Sequence, residues 1–381
     1  MRNRKIIFLA GFLFAIPLAL TSYINSSFLE SYLSKYYIGV VYIIASIIAI
    51  WGLLEMPKIL KHFGNRFTAL FFTLSSFLAL ITLAFTHNIV AVILAIIIYF
   101  ISTDLIIASL DIFIEDISKN ANIGKFRGLY LMFINFAWVI AQMLSGSIIS
   151  KSSFQGIYLF GAGFLLLNSF IFIFFLHDFK DPKYTKVPIL KTIKVFIKNK
   201  SLSKIYSINL ILKFFFAWMV IYTPIYLHDY LGFNWEQLGL IFTVMLIPFV
   251  LLDYPLGRLS DKIGEKKMLI IGFATTIIFT FIIPFIAVPK VWIWAIVLFG
   301  TRVGAATIEI MAESYFFKEI TDRNSDEISF FRNTYPLSFV IAPIIAIPVL
   351  ILAPSFEYIF FVLSAIMLSG LFITLRLKDK K

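Results

Sequence analysis

The sequence predicts an all-α membrane protein in which twelve transmembrane helices form two pseudo-symmetric six-helix bundles. Three observations lead to this fold class: an apolar composition, twelve long apolar runs and an internal repeat. The chain has 381 residues, of which 60% are hydrophobic and only 14% are charged. Soluble domains are roughly half apolar and about a quarter charged. A soluble core of this length could not bury so much apolar surface, so part of that surface is expected to face lipid.

The apolar runs are expected to cross the bilayer as helices, because backbone polar groups cannot stay unpaired in hydrocarbon. The first six predicted spans cover residues 6–28, 36–57, 67–86, 89–113, 127–150 and 155–176. The second six cover residues 205–227, 237–257, 267–287, 291–312, 329–350 and 356–375. We therefore assign residues 1–178 to an N-terminal six-helix bundle, 179–204 to a cytoplasmic linker with an amphipathic helix, and 205–381 to a C-terminal six-helix bundle.

Lysine and arginine residues predict the orientation of these spans. With both termini on one side, that side collects the N-terminal basic residues, the eight lysines of the 180–204 segment and the basic C-terminal tail. The opposite side carries only Lys35, Lys151 and Lys290. Because basic loops stay in the cytoplasm, we predict a multi-pass protein of the cytoplasmic membrane with both termini cytoplasmic. The net charge of +12 is thus explained by membrane orientation, and no nucleic-acid partner is predicted.

The linker contains a basic amphipathic pattern. Apolar residues recur there at helical spacing with three lysines between them; the apolar set is Ile189, Leu190, Ile193, Phe196 and Ile197, and the lysines are Lys191, Lys194 and Lys198. This pattern favours a helix that lies along the inner leaflet and is attracted to anionic lipid. A solvated linker is the alternative.

Residues that metal or cofactor chemistry requires are missing or scattered in the sequence. The chain has no cysteine, and its four histidines lie at the ends of predicted helices. It has no phosphate-binding P-loop, so ATP hydrolysis by this chain is not expected. We therefore predict no metal site, no cofactor and no enzymatic activity.

A polar loop between two apolar runs is the most informative motif. It reads G-R-L-S-D-K-I-G-E-K-K over residues 257–267, and a fainter copy, K-I-L-K-H-F-G-N-R, covers residues 58–66. Gly64 of the first copy aligns with Gly264 of the second. A polar loop repeated at this distance indicates that the protein consists of two related halves.

The fourth and tenth spans repeat each other at a constant offset of 198 residues. The aligned positions are Asp104 with Arg302, Asp111 with Glu309, and Glu115 with Glu313. Steps of seven and four residues place each trio on one helical face. The fifth and eleventh spans also match, so we predict that a pseudo-twofold axis along the membrane normal relates the two bundles.

The 257–267 loop resembles the signature loop between the second and third helices of the major facilitator superfamily of membrane transporters. The resemblance covers essentially the whole chain and implies two parallel six-helix halves, alternating access and a monomer. The first copy departs from the family pattern, because Lys61 stands where the second copy has Asp261 and Pro57 replaces the first glycine. Neither the antiporter glycine-proline signature of the fifth span nor a sugar-porter signature is present, so the subfamily stays open.

Three charged residues fall deep within predicted spans: Asp104, Lys213 and Arg302. Such charges cost roughly 2.5–3.5 kcal/mol each on insertion, so they are seldom accidental. In the major facilitator fold the first, fourth, seventh and tenth helices line a central cavity, and the resemblance therefore places all three charges around one aqueous pocket. In one interpretation Asp104 and Arg302 form a permanent ion pair between the halves, while Lys213 reaches water. In the other they form a substrate and proton site, where Arg302 binds a carboxylate or phosphate and Asp104 exchanges its partner for a proton.

Polar and aromatic residues of the predicted spans are candidates for the wall of this pocket. They are Tyr23, Asn25, Asn135, Trp138, Gln142, Asn209, Trp218 and Tyr222. For each of these residues alone, helix packing or an interhelical hydrogen bond is the alternative role.

Charged residues at the cytoplasmic ends of the spans are candidates for an inner gate. The acids are Asp111, Glu115, Glu309 and Glu313, and the bases expected to pair with them are Arg127 and Arg332. In the 257–267 loop, Gly257 permits close helix approach and Gly264 a tight turn, while Asp261 lies near a helix start that favours its charge. Arg258 and Asp253 are candidate partners of Asp261. The resemblance implies that this network stabilises one of the two access states; ordinary interfacial charges and a plain surface turn are the alternatives.

The sequence thus predicts a secondary active transporter that moves a small solute by alternating access, with coupling to protons or another ion. The charge balance of Asp104, Lys213 and Arg302 favours an anionic or zwitterionic solute. Efflux of amphipathic drug-like compounds is one alternative, and it expects a more apolar, aromatic pocket. A non-transporting membrane sensor or scaffold is the other, and it expects a static Asp104–Arg302 pair. The predicted partners are the small-molecule substrate, the coupling ion and the lipid bilayer.

Overall fold

Every regular secondary-structure element in the described residues is a helix, and no β-strand is assigned there. The computed structural model describes residues 2–118, 123–176, 179, 181, 189–252, 255–256, 259, 262–286, 288–320 and 325–378. The α-helices with bounds in the first half are α1 (Arg2–Ser22), α2 (Asn25–Glu30), α3 (Lys35–Phe85), α4 (Ile89–Ser118) and α5 (Ile123–Phe174). Those that follow are α6 (Ile189–Lys198), α7 (Lys200–Ile225), α8 (Trp235–Leu251), α9 (Glu265–Ile282), α10 (Val291–Glu319), α11 (Ser325–Arg332), α12 (Thr334–Leu352) and α13 (Tyr358–Leu375).

Most of these helices are long and apolar enough to cross a bilayer. Within the described residues nine helices meet this condition, and α8, with 17 residues, is a shorter apolar helix. The all-helical membrane fold that the sequence predicts is thereby confirmed at the level of its class.

Two helices are far longer than a single crossing requires. Helix α3 has 51 residues and is interrupted by Gly64, at φ 75° and ψ 162°. Helix α5 has 52 residues and is interrupted by Ser153, at φ 55° and ψ −165°. At about 1.5 Å per residue, the helical residues of each add up to roughly 75 Å of helix, enough for two crossings of a bilayer core of roughly 30 Å. Positive φ ends the regular helix at both residues, and Gly64 adopts it without the steric penalty of a Cβ atom.

The chain divides into two compact units, Met1–Lys186 and Val187–Lys381. In the first unit α3 packs against α4, and α1 packs against α5. In the second unit α10 packs against α9 and α8, and α7 packs against α12 and α13. The division falls inside the predicted 179–204 linker, and helix α6 packs within the second unit against α7 and α11.

Large apolar side chains cover the outside of the helices in continuous stripes. Phe67, Phe71 and Leu78 are 61%, 64% and 61% exposed. Their steps of four and seven residues place them on one face of the helical segment that follows Gly64. Such a stripe would be unfavourable in water, and it suits a surface that lies against acyl chains.

Glycines bring α9 and α10 into close contact. A Cβ atom added at Gly304 would lie 2.3 Å from Thr276 Oγ1 and 2.6 Å from the carbonyl oxygen of Gly272. A Cβ atom added at Gly272 would lie 2.8 Å from a side-chain carbon of Ile308. Small residues at helix interfaces let backbones approach in this way, and the resulting contacts hold membrane helices together. The contact fixes the segment of α10 that carries the predicted site residues.

Candidate functional site

An ion pair joins two helices inside the second unit. Lys213 on α7 and Glu309 on α10 are 2.5 Å apart, measured between Nζ and Oε1. Their side chains are 18% and 29% exposed, so the pair is largely removed from solvent. Because a lone charge at such depth is costly, each group stabilises the other.

Arg302 lies on the same face of α10, two helical turns before Glu309. It is 1% exposed, and its guanidinium carbon is 5.1 Å and 5.4 Å from the ring centroids of Phe215 and Phe216 on α7. Lys213 Nζ lies 5.2 Å from the Phe216 ring. Rings at these distances attract cations through their negative faces. We call these five residues, Lys213, Phe215, Phe216, Arg302 and Glu309, the cationic cluster.

Aromatic side chains extend along α7 beyond the cationic cluster. The rings of Phe214 and Trp218 are 5.3 Å apart, and those of Trp218 and Tyr222 are 5.6 Å apart. Trp218 and Tyr222 are both fully buried. Among the described residues the indole Nε1 of Trp218 has no hydrogen-bond acceptor. A buried donor of this kind is uncommon, and it is available to an acceptor on a ligand.

Asp104 is a buried charged residue of the first unit. It lies on α4 and is 8% exposed, and its Oδ2 has no hydrogen-bond donor among the described residues. An isolated ionised carboxylate is costly in such surroundings. The predicted pairing of Asp104 with Arg302 joins the two units and stays a prediction.

Two predicted pocket residues make interhelical hydrogen bonds. Gln142 on α5 is buried and donates from Nε2 to the Ala19 carbonyl oxygen of α1, at 2.5 Å. Asn209 on α7 donates from Nδ2 to Thr334 Oγ1 of α12, at 2.8 Å. These bonds correspond to the alternative role given above for each such residue.

The remaining predicted pocket residues differ in burial. Tyr23 is buried, and Asn25 accepts a hydrogen bond at 3.1 Å from the Tyr158 hydroxyl. Asn135 and Trp138 are half-buried on α5. All four of these residues belong to the first unit, whereas the cationic cluster lies in the second.

The predicted gate residues lie partly outside the part of the chain that can be described. Asp111 and Arg332 are half-buried, and Glu313 is exposed. Glu309 joins Lys213 within the second unit, a pairing that the sequence analysis did not anticipate. The side chains of Glu115 and Arg127 lie outside the described residues, and so do Asp253, Gly257, Arg258 and Asp261. Gly264 is described and has φ 90°, in agreement with the predicted tight turn.

The sequence analysis missed a buried acid at the start of α9. Glu265 follows Gly264 directly and is 2% exposed. Its Oε1 accepts a hydrogen bond from Ser314 Oγ at 3.0 Å and pairs with Lys318 Nζ, both on α10. The sequence does contain a signal for this residue: Glu265 is an acid in the first turn of α9, where the helix dipole favours negative charge.

The sequence analysis also missed Asn65, the residue of the first unit that corresponds to Glu265. Asn65 follows Gly64 directly and is fully buried. Its Nδ2 donates to the Ser109 carbonyl oxygen of α4 at 3.0 Å, and its backbone N–H donates to Asp181 Oδ1 at 2.7 Å. A Cβ atom added at Gly64 would lie 2.5 Å from Asp181 Oδ2, so the glycine leaves room for that carboxylate.

Together, the fold and the site define a class of protein. Charged side chains enclosed by the helices of a multi-pass membrane fold are typical of proteins that bind and move polar solutes or ions. The sequence matches the profile of the Major Facilitator Superfamily over residues 7–307 and again over residues 206–381. The chain belongs to the major facilitator superfamily. This membership identifies it as a multi-pass membrane transporter rather than an enzyme, and it confirms the resemblance found in the sequence.

Two solved structures share the fold along nearly the whole chain. The nucleoside transporter NupG has a TM-score of 0.77 and 14% sequence identity, with 98% of each chain covered. A single-site mutant of NupG has a TM-score of 0.78 and 12% identity, covering 98% of this chain and 99% of that one. Identities this low establish the fold alone.

A curated relative matches part of the sequence. The multidrug efflux pump SdrM of Staphylococcus aureus is 25% identical over 127 residues. The match covers 33% of this chain and 28% of the pump.

Proposed function

We propose that this protein is a secondary active transporter that moves a small anionic solute across the cytoplasmic membrane by alternating access, coupled to protons. The observation that carries the proposal is the cationic cluster, in which Arg302 lies buried against two rings and Lys213 pairs with Glu309. Lys213 and Arg302 place two cationic groups on the facing helices α7 and α10, and cationic groups of this kind suit an anionic group on the substrate.

In this proposal the chain crosses the membrane twelve times. We count α3 and α5, which are interrupted at Gly64 and Ser153, as two crossings each, and the other seven long apolar helices of the described residues as one crossing each. The 17-residue apolar helix α8, at about 1.5 Å per residue, is roughly 25 Å long and supplies the last crossing.

The proposal also includes an orientation and an oligomeric state. Basic residues concentrated on one side support cytoplasmic termini, since such residues are retained inside. A monomer is expected, because one chain contains both of the parallel halves that the major facilitator fold requires.

Binding would use an exchange of partners at Lys213. A carboxylate or phosphate on the substrate would replace Glu309 beside Lys213 and accept hydrogen bonds from the planar guanidinium of Arg302. The free N–H of Trp218, one turn beyond Phe214, could donate to a second acceptor on the substrate. The aromatic rings would contact the apolar part of the solute.

Coupling to protons would use the buried carboxylates. Asp104 has a buried oxygen with no donor among the described residues, so protonation would relieve an unfavourable charge. Glu309, which is 29% exposed, would be released from Lys213 when the substrate binds and could then take up a proton. The release of Glu309 by the substrate would link solute occupancy to protonation.

The first experiment removes the guanidinium. The Arg302→Gln protein should bind its substrate about 10- to 150-fold more weakly, because hydrogen bonds to charged groups contribute roughly 1.5–3 kcal/mol. A thermal-shift screen of the purified protein against metabolite and drug panels identifies the ligand, since binding stabilises the folded state by mass action. Transport is then measured in proteoliposomes.

The matched control for this variant is Lys290→Gln, which removes an exposed positive charge from another part of the second unit. It should bind and transport as the parent does. Undiminished binding of an anionic ligand by Arg302→Gln would contradict the assignment of the cationic cluster.

The second experiment tests proton coupling. Asp104→Asn should abolish the dependence of uptake on a pH gradient, while exchange of solute between the two sides continues. If uptake and its pH dependence were the same in Asp104→Asn and the parent, coupling through Asp104 would be wrong.

Efflux of amphipathic compounds is a second candidate, favoured by the partial match to a multidrug efflux pump and by the aromatic wall of α7. It predicts that cationic or neutral lipophilic compounds, rather than small anions, give the thermal shifts. It also predicts that Trp218→Ala weakens binding more than Arg302→Gln does.

A further inference from the structure

Helix α6 lies immediately before the membrane-spanning helix α7, and a fixed corner separates them. Asn199 stands between Lys198, which ends α6, and Lys200, which begins α7. Its side chain caps α7 by accepting hydrogen bonds from the backbone N–H groups of Ser201 and Leu202, at 3.0 and 3.2 Å. Its Nδ2 also donates to Glu319 at 3.1 Å. Because the corner is held at several points, α6 stays at the level where α7 enters the membrane.

One face of α6 is occupied by the second unit. Thr192 and Phe196, four residues apart, are 3% and 4% exposed. The Phe196 ring lies 5.6 Å from that of Tyr206, 4.7 Å from that of Phe330 and 6.5 Å from that of Phe316. This contact determines the rotation of α6 about its axis, and therefore which side chains point away from the protein.

The face of α6 that the second unit does not cover carries an apolar ridge, formed by Leu190 and Ile197. Leu190 and Ile197 are 78% and 71% exposed, and their spacing of seven residues places them on the same side of the helix. Ile193, between them, is half-buried. Two large aliphatic side chains this exposed at the end of a membrane span would be unfavourable in water.

The ridge is bordered by positive charge. Lys191, Lys194 and Lys198 are all exposed, and at about 100° per residue they fall within one arc beside Leu190 and Ile197. An apolar ridge that enters acyl chains beside lysines that reach phosphates is the arrangement of an interfacial helix. The lysine ammonium groups are complementary to anionic headgroups, which attract basic segments near the membrane surface.

We propose that α6 is a binding site for anionic phospholipid, with Leu190 and Ile197 inserted among acyl chains and the three lysines on headgroup phosphates. Lipid bound here holds α6 against the aromatic rings of α7, α10 and α11. The occupant is the bilayer itself rather than a second copy of the chain, because the ridge is narrow, flanked by like charges and placed where a spanning helix begins. The site is independent of the substrate that the protein carries.

The chain has no cysteine, so single labels can be placed on it directly. Spin labels at Leu190→Cys and Ile197→Cys, in nanodiscs of phosphatidylcholine and phosphatidylglycerol, should be more accessible to oxygen than to a water-soluble nickel chelate. Phe71→Cys, on the lipid-facing stripe of α3, gives the reference for acyl chains. Lys151→Cys, at an exposed lysine away from α6, gives the reference for the aqueous side.

Two outcomes of the labelling would overturn the proposal. Greater accessibility to the nickel chelate at Leu190 and Ile197 would mean that the ridge is solvated. Immobilised labels protected from both reagents would mean that protein, such as a second copy, covers it.

A second measurement tests the lipid charge. The depth of the Leu190→Cys label should increase when phosphatidylglycerol replaces a quarter of the phosphatidylcholine, and this increase should vanish in the triple variant Lys191→Gln, Lys194→Gln, Lys198→Gln. The double variant Lys151→Gln, Lys290→Gln, which removes exposed lysines elsewhere, should keep the increase. An unchanged response in the triple variant would refute the role of the lysines, even if the ridge is inserted.

Discussion

The two units make the same turn with different side chains. Gly64 in the first unit and Gly264 in the second both have positive φ, 75° and 90°, with extended ψ of 162° and 145°. Each is followed by a fully or almost fully buried polar residue that contacts the neighbouring long helix, α4 in one unit and α10 in the other. The backbone geometry is therefore repeated where the loop sequences barely match.

The chemistry at the buried position differs between the units. Asn65 is neutral and donates to a backbone carbonyl of α4, with Asp181 held on its N–H. Glu265 is an acid and pairs with Lys318 of α10. The repeated fold requires a polar group that ties the turn to the next helix, and a neutral amide and an ion pair both satisfy this requirement.

Substitution of the glycines should give the largest effects and break the likeness of the two turns. Gly64→Ala and Gly264→Ala should each cost about 1–3 kcal/mol, because this backbone region is essentially restricted to glycine. Gly64→Ala should cost about 1–3 kcal/mol more, because its Cβ would lie 2.5 Å from Asp181 Oδ2. Unfolding in mixed micelles measures both.

The control for the glycine comparison uses the background Asp181→Ala, in which the extra cost of Gly64→Ala should disappear. In the described part of the chain nothing lies within 4 Å of a Cβ atom at Gly264, so no such relief is expected there. Equal losses at the two glycines in the parent protein would show that Asp181 does not restrict Gly64.

Neutralising Glu265 should have the next largest effect. Glu265→Gln keeps the shape and can keep the Ser314 hydrogen bond, but it removes the ionic partner of Lys318. Because the Lys318 side chain is 47% exposed and can be hydrated, a loss of only about 1–2 kcal/mol is expected. The double variant with Lys318→Gln should lose less than the sum of the two single changes; strict additivity would argue against a coupled pair.

The smallest effect is expected at Asn65. Asn65→Ala removes one hydrogen bond to the Ser109 carbonyl and should cost about 0.5–1.5 kcal/mol. Asn65→Asp should be worse than Asn65→Ala, because a buried carboxylate cannot donate to that carbonyl. If Asn65→Asp were the milder change, the amide would not be acting as a donor, and the comparison with Glu265 would need revision.

The class of the fold could be predicted because it follows from composition and from local rules. Long apolar runs become helices in lipid whatever their neighbours are. Positive φ at Gly264 could likewise be predicted, since a glycine in a short polar loop adopts the turn that other residues resist. The constant offset between Asp104 and Arg302 identified the repeat for the same reason: it requires only the order of residues along the chain.

The partners of the buried charges could not be predicted in the same way. Lys213 and Glu309 lie on helices that are apolar on nearly every side, so no amphipathic pattern indicates which face of α7 meets which face of α10. The same holds for Arg302 and its two phenylalanine rings. Glu265 was overlooked because an acid in a basic surface loop is normally hydrated, and only the packing of α9 on α10 buries it.

The glycine contact between α9 and α10 has a mechanical consequence. Thr276 and Gly272 of α9 lie close to the backbone of Gly304 on α10, and Glu265 of α9 pairs with Lys318 of α10, so the two helices are joined at two heights. We expect a displacement of Arg302 to be transmitted to α9 through these contacts. A fluorophore at Ile278, which is 56% exposed on α9, would therefore report on movement of the Arg302 guanidinium.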